Sequence, residues 1–442
     1  MLDIKFIREN TEKMKKGVAA KQLDPALVDE VVRLYDVWSE KLKGWEELRQ
    51  EKNKIAHESK GYSKEGKDVK EKLVNVELEV QKAHAEYQEA ARNLPNPPAD
   101  DVIIGKDETE NEIVRKWGEP NKFDFKIKDH LELGESLDII DVKHAAKVSG
   151  ARFGYLKGDA VLLELALVNF ALDTLSNEGF TPIVPPVLVK VPVFHDLGYS
   201  EHLGNENYYL VHGGNPGQTN GEEESEYYLV GTSEHSVVPY FKDETLSSVE
   251  LPKRFVSFST CFRREAGSYG KDTKGILRVH QFDKIEMVSF TKPEDSDKEH
   301  EYLLNLEEKL LQALKIPYQV VKMCSGDLGA PATRKFDLEA WIPSQNKYRE
   351  LTSTSNCTDF QARRLNIKFR YRVPARIGEV PMGEAGGETK TGFVHILNGT
   401  AFAIGRTIIA ILENYQNPDG SVTIPKILQK YLDKSSISAK VK

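Results

Sequence analysis

Two long stretches near the start of the chain place apolar residues in a heptad rhythm. Val28, Val31, Tyr35, Trp38, Leu42 and Trp45 follow a 3-4-3-4-3 spacing, and Leu48 and Ile55 extend the stripe. After a turn at Gly61 to Gly66, a second series runs Val69, Leu73, Val76, Val80, Ala83, Tyr87, Ala90, Leu94, spaced 4-3-4-3-4-3-4. Asp24-Pro25 opens the first series, with proline at a first-turn position, and Leu94-Pro95-Asn96-Pro97-Pro98 stops the second. The pattern predicts an antiparallel helical hairpin over 25–94, about 45 Å long at 1.5 Å per residue. A short helix is expected before it, over 4–17.

Beyond the hairpin the rhythm changes. Residues 99–118 are acidic and weakly patterned and read as a linker, which sets domains at 1–100 and 119–442 with the linker at 101–118. Asp159 is expected to cap an apolar helix, AVLLELALVNFALDTL, that stops near Gly179 and leads into an extended segment from Thr181. A helix apolar on nearly all faces is buried in a core or at a subunit interface. Gly213 to Glu226 and Gly378 to Gly392 read as loops, 298–315 as a helix, and Arg349 to Ser353 as a strand end. Ser233 is a candidate cap for the segment after Gly231.

The most informative stretch is Phe255 to Glu286, two strand-like runs around a charged, glycine-containing loop. Alternation puts Phe255, Ser257, Ser259, Cys261 and Arg263 on one face of the first run. Phe282, Lys284 and Glu286 share a face of the return run, with the ring and the carboxylate about 13 Å apart. That separation suits a bent ligand with a flat ring at one end and a cation at the other, as in an aminoacyl-adenylate. Near the C-terminus, LNGTAFAIGRTIIAILENYQ reads as a small-residue strand running into a helix whose first turn carries Arg406. The 36 residues after Arg406, 407–442, are too few for a further domain of ordinary size.

Composition narrows this picture only slightly. The 442 residues are 39% hydrophobic and 29% charged, as expected of an ordinary globular protein with two or three domains. A net charge of -8 advertises no nucleic acid globally. A local basic surface suffices for binding, and residues 41–72 hold ten Lys or Arg against seven Asp or Glu. On these grounds alone the hairpin remains open between a solvated coil, a dimerisation element and an RNA grip. No signal core or membrane-spanning run is evident, which predicts a cytoplasmic protein. Three widely spaced cysteines predict reduced thiols and no zinc. Gly61 to Asp68 matches GxxxxGK but puts Asp where a phosphate loop needs Ser or Thr, and it follows a helix rather than a strand.

Activating a carboxylate with ATP requires two anions to be brought together. Arginine suits that bridge because its planar guanidinium stays charged and can donate to both. Pyrophosphate departure calls for more positive charge, from a second arginine and from Mg²⁺ on hard oxygen ligands. Arg263, Phe282, Glu286, Glu350, Ser353 and Arg406 are residues of these types, each at the end or on the face of an expected element.

The residues match a known pattern. FRREAGSYGKDTKGILRVHQFDKIE is similar to motif 2 of class II aminoacyl-tRNA synthetases, and LNGTAFAIGRTIIAILENYQ to motif 3. The apolar helix ending in TPIVPP is similar to motif 1, the dimer element, and Gly231 to Glu234 (GTSE) to a serine-binding loop. In this order, and with the hairpin, the chain resembles the bacterial-type seryl-tRNA synthetases from MLDIKFIREN to IPKILQKYL. The resemblance implies an α+β fold, an antiparallel-sheet class II catalytic domain with an N-terminal coiled-coil arm, working as a homodimer. It implies activation of L-serine by ATP with Mg²⁺ and transfer to tRNA(Ser), with tRNA(Sec) a second candidate. Thr232, Ser233, Glu234, Glu286, Asn398 and Thr400 would bind serine. Arg263 would hold the serine carboxylate and α-phosphate, and Arg264, Glu265 and Arg278 would contact ATP or the tRNA end. Phe282 would stack on adenine with Arg406 on its other face, while Glu350, Leu351, Thr352 and Ser353 would hold ATP, with Glu350 and Ser353 on its Mg²⁺. The arm would grip tRNA, and the 266–278 loop would meet its acceptor end. Both long loops exceed the length expected of such relatives.

Overall fold

The structure, a computed structural model, describes residues 2–58, 64–199, 207–213, 225–266, 274–374 and 387–439. The turn between the heptad helices at 59–63, the middle of the Gly213 to Glu226 loop, the middle of the 266–278 loop and the first part of the Gly378 to Gly392 loop lie outside the described residues. The chain divides into two compact units, Met1–Pro98 and Ala99–Lys442.

The first unit is helical. The heptad series form α1 (Ala26–Glu58) and α2 (Lys64–Arg92), packed antiparallel. Val28, Val31, Val69, Ala83 and Tyr87 are buried along the seam, and Trp38 stacks on His84 (4.6 Å between ring centroids) and on Tyr87 (5.7 Å). Before them stand two helices rather than the single one expected, Ile4–Glu9 and Thr11–Ala20. Asn10, at φ −129°, interrupts the run, and Asp3 caps the first by accepting from the Lys5 amide. At Gly17 an added Cβ would fall 2.7 Å from Pro97 Cβ, so glycine there lets the return chain close against the helix.

The second unit is built on an eight-stranded sheet: β1 (Glu112–Trp117), β2 (Thr181–Ile183), β3 (Lys253–Phe262), β4 (Gln281–Thr291), β5 (Tyr318–Lys322), β6 (Arg334–Ile342), β7 (Lys347–Asn356) and β8 (His395–Ala403). Their spatial order is β1-β5-β6-β7-β8-β4-β3-β2, antiparallel throughout except for the parallel β2–β3 pair. Three helices, α3 (Asp159–Asn177), α4 (Ser296–Ala313) and α5 (Ile404–Asn414), bury Leu163, Leu303 and Ile408 in one core with Ile285, Met287, Leu338 and Phe402 of the sheet. The opposite face, where side chains alternate away from that core, carries the polar residues of the site.

Several expectations change here. The end of the 99–118 stretch is not linker: Glu112–Trp117 pairs with β5 as an edge strand. The end of the second glycine-rich loop is also a strand, Gly387–Phe393, paired with Lys368–Pro374. Gly158, at φ +51°, is the N-cap of α3, and Asp159 is its first residue, hydrogen-bonded to Lys434. Ser233 makes no side-chain capping bond to the short helix that follows. Arg349 to Ser353 lies inside a ten-residue strand rather than at its end.

Candidate active site

Strand β3 prepares the floor. Ser257, Ser259 and Cys261 lie opposite Glu286, Lys284 and Phe282 of β4 in the register, so small side chains leave room above the long ones. Arg263, just past β3, holds a fixed pose. Its Nε donates to the Gly231 carbonyl at 3.0 Å, its guanidinium lies 5.4 Å from the Phe282 ring centroid, and its backbone N–H donates to the His280 carbonyl.

Two β-bulges bring the remaining residues into place. Between Ile285 and Glu286 the partner on β8 jumps from Phe402 to Thr400, and Thr400 Oγ1 donates to Glu286 Oε2 at 3.1 Å. Between Leu338 and Glu339 the partner on β7 jumps from Thr352 to Glu350, leaving Leu351 as the extra residue. Glu350 and Ser353 therefore line the cleft three residues apart. Thr352 turns into the core, where its hydroxyl donates to Glu307 Oε2 at 2.7 Å.

The cleft has two connected parts. A cavity of about 410 Å³ is lined by Thr232, Glu234, Arg263, Lys284, Glu286 and Asn398, among others. The adjoining part is walled by Phe282, Glu350, Leu351, Ser353, Thr400 and Arg406. Arg263, Glu265, Arg278, Lys284 and Ser353 line both. Of the sequence-predicted residues, Ser233 and Arg264 line neither. Ser233 is fully buried with its hydroxyl 2.6 Å from Ser257 Oγ, while Arg264 is exposed and its backbone N–H donates to Asn207. Leu351 and Thr352 are buried and reach the cleft only as part of its wall.

Electrostatics separates the carboxylates. Glu234 is buried and accepts from Tyr199 Oη at 2.6 Å and Gln361 Nε2 at 3.1 Å. Burial pushes its carboxyl up despite those donors, and the negative Glu286 adds to the rise. Glu350 goes the other way. Loss of hydration in the cleft works against its charge, but its side chain is still 48% exposed, and Arg406 and Lys335 hold it down to about 2. Arg406 Nη1 meets both the Glu350 carbonyl oxygen (2.9 Å) and its Oε2 (3.1 Å). Arg278 pairs with Glu265 at 3.2 Å. Glu286 forms a buried ion pair with Lys284 Nζ at 2.6 Å.

Lys284, Tyr199 and Gln361 were missed as site residues in the sequence. Lys284 carried a signal, since it alternates onto the face of Phe282 and Glu286. Tyr199 and Gln361 come from remote segments that nothing in the sequence ties to Glu234. Among the described residues, no group of three or more His, Cys, Asp or Glu is placed to hold a metal ion. No described helix is long and apolar enough to cross a membrane.

Family models match most of the chain. The seryl-tRNA synthetase N-terminal domain covers residues 1–98, and the class II core domain of the Gly, His, Pro, Ser and Thr tRNA synthetases covers 218–415. Among curated relatives, the serine–tRNA ligase of Dictyoglomus turgidum is 43% identical over the full length of both chains. That of Acidothermus cellulolyticus is 42% identical over 98% of both. Among solved structures, seryl-tRNA synthetase from Pyrococcus horikoshii complexed with ATP has a TM-score of 0.85 at 39% identity, covering both chains fully. The cytoplasmic enzyme of Naegleria fowleri in complex with AMP has a TM-score of 0.84 at 33% identity, covering 100% of this chain and 99% of the other.

Proposed function

The chain belongs to the seryl-tRNA synthetase family, and on that premise we propose how its cleft divides the work between serine and ATP. Its reaction is that of a serine–tRNA ligase: L-serine is activated with ATP to seryl-adenylate and then transferred to tRNA. tRNA(Ser) is the acceptor, and tRNA(Sec) is a second candidate.

The larger cavity takes serine. Glu286 receives its ammonium, and Thr232, Glu234, Asn398 and Thr400 surround the rest. Pairing the serine hydroxyl rejects alanine, which lacks the bond, and a fitted wall rejects threonine. The adjoining part takes ATP, with Phe282 and Arg406 sandwiching adenine and with Arg278 and Glu265 near the phosphates and the tRNA end. What carries this reading is that Arg263 lines both parts, so one fixed guanidinium reaches the serine carboxylate and the α-phosphate together. Serine's carboxylate is ionised at neutral pH and attacks the α-phosphorus in line without a general base. The bond to pyrophosphate breaks and takes its electron pair with it. The 3′-terminal hydroxyl of tRNA then attacks the acyl carbonyl and releases AMP.

Glu350, held ionised, and Ser353 on the same face are hard oxygen donors. They fit Mg²⁺ that brings its remaining ligands on the triphosphate, and the ion there would offset charge on the departing pyrophosphate. The α1–α2 arm grips tRNA by shape, in keeping with backbone-directed RNA recognition. Val161, Leu162 and Leu165, exposed apolar residues on α3, support a homodimer interface there. The enzyme works in the cytoplasm.

The test is ATP–pyrophosphate exchange surveyed across the amino acids, followed by tRNA charging. Exchange that depends on serine alone supports the assignment. Exchange with another amino acid, or none with serine, would overturn it.

A further inference from the structure

Glu286, assigned above to the substrate ammonium, already holds one. Its Oε2 accepts from Lys284 Nζ at 2.6 Å and from the Thr400 hydroxyl at 3.1 Å. The pair is largely buried at the floor of the cavity, with side chains 8% and 2% exposed. Separating two such charges without replacement would leave each without a counter-charge in a poorly hydrated place. Serine brings a replacement for both, since its ammonium can take Glu286 and its carboxylate can take Lys284.

We propose that Lys284 is an exchangeable counter-ion, which neutralises Glu286 in the empty site and turns to the serine carboxylate and the α-phosphate when serine's ammonium takes its place. Three observations support the move. Lys284 lines both parts of the cleft, so either anion is within its surroundings. Its cross-strand neighbours, Ser259 and Ala403, are both small enough to leave the four-carbon stem free to turn. A lysine ammonium is a compact charge on a flexible stem, whereas Arg263 is pinned to Gly231 and Phe282. Arg263 is then the fixed cation of the reaction and Lys284 the mobile one.

The exchange makes the site selective for a zwitterion. An amine without a carboxylate must displace Lys284 and leave it unpaired, so it binds poorly unless another anion is supplied. During activation the serine oxygen bonds to the α-phosphorus and pyrophosphate leaves with the bonding electrons. Lys284 keeps all its protons and supplies charge only.

The inference rests on the Glu286–ammonium assignment, and its test separates the two. Serinol carries serine's ammonium and hydroxyl but no carboxylate. In the unmodified full-length protein, saturating AMP supplies an α-phosphate to Lys284, and serinol affinity should rise about tenfold, a coupling of ordinary allosteric size. In Lys284→Met, serinol should bind about tenfold more tightly than in the parent without AMP. The coupling to AMP should disappear, and kcat for pyrophosphate exchange should fall about 100-fold. No coupling in the parent protein, or equal coupling in Lys284→Met, overturns the exchange, and the first of these needs no variant to fold. Glu286→Gln is the control. If serine binds Glu286→Gln undiminished, the ammonium assignment itself is wrong; if serine binding weakens and coupling is absent, only the exchange is.

Discussion

The arm and the cleft use charge in opposite ways. On the arm, Lys41 and Glu79 meet at 2.5 Å across the two helices with side chains 37% and 61% exposed. In the cleft, Lys284 and Glu286 meet at 2.6 Å with side chains 8% and 2% exposed. The distances match, but the surroundings do not. Water and salt screen the first pair, which holds two long side chains at an entropic cost. The second is little exposed to solvent, so each partner depends on the other or on a replacement charge. The arm is held by its apolar seam and its Trp38–His84–Tyr87 stack, and its charges are a coating. In the cleft the proposed roles fall on charged residues one by one, so single substitutions there should matter.

That contrast predicts the largest effect at Arg263. Arg263→Ala should lower serine-dependent pyrophosphate exchange by about 10³-fold, because the variant loses the cation proposed to meet both substrates. Steady-state exchange measures it, and near-normal rates would mean that the cleft, like the arm, does not depend on individual charges. A second variant tests the arm's independence. Trp38 and His84 are in ring contact, so removing residues 39–83 and joining the ends with a short glycine turn should leave the hairpin base intact. Exchange should then stay within about twofold, while tRNA charging falls by about 100-fold or more through lost backbone contacts. Equal loss of both activities would make the arm part of the catalytic machinery.

The same contrast explains what could be read in advance. The arm was legible because its information is local: each heptad position packs on residues a few places away or directly across the hairpin, and Val69 through Leu94 form the predicted stripe. The β3–β4 face was legible for a similar reason, since strict alternation put Phe282, Lys284 and Glu286 together. The bulges were not. One extra residue at Leu351 moves Ser353 to the face of Glu350 and sends Thr352 into the core, and nothing in Glu-Leu-Thr-Ser announces it. Ser233 was misread as a cap because its buried partner, Ser257, lies in another strand. The edge strand at Glu112–Trp117 was missed because an exposed, charged strand at a sheet edge carries little alternation.

A smaller effect is expected behind the cleft, where Glu164 of α3 and Asp283 of β4 line one cavity. Burial, and after it the neighbouring Asp283, pushes the Glu164 carboxyl up to about 8. In the unfolded chain it ionises at its ordinary value, near 4.5. Between those values the folded protein binds the extra proton, so this group's contribution makes stability fall as pH rises from about 4.5 to about 8. Glu164→Gln cannot titrate. Its unfolding midpoint should lose that decline and exceed the parent's by about 2 °C or more near pH 8, with little difference near pH 4.5. A parallel decline in both proteins would show that Glu164 is not the group that carries the extra proton.

The smallest effect belongs to the arm's own ion pair, and it decides whether the comparison holds. Lys41→Ala, Glu79→Ala and the double variant form a cycle whose coupling should be close to zero and should vanish in high salt. The unfolding midpoint should move by less than about 1 °C, as for most exposed pairs. Lys41 does hold the Glu79 carboxyl below its ordinary value, chiefly through their hydrogen bond. With both side chains largely in water, that contact competes with hydration of similar quality. A large, salt-resistant coupling would mean that the two helices are registered by charge rather than by the apolar seam. Shape alone would then no longer account for the arm, and its basic residues would need the same residue-by-residue treatment as those of the cleft.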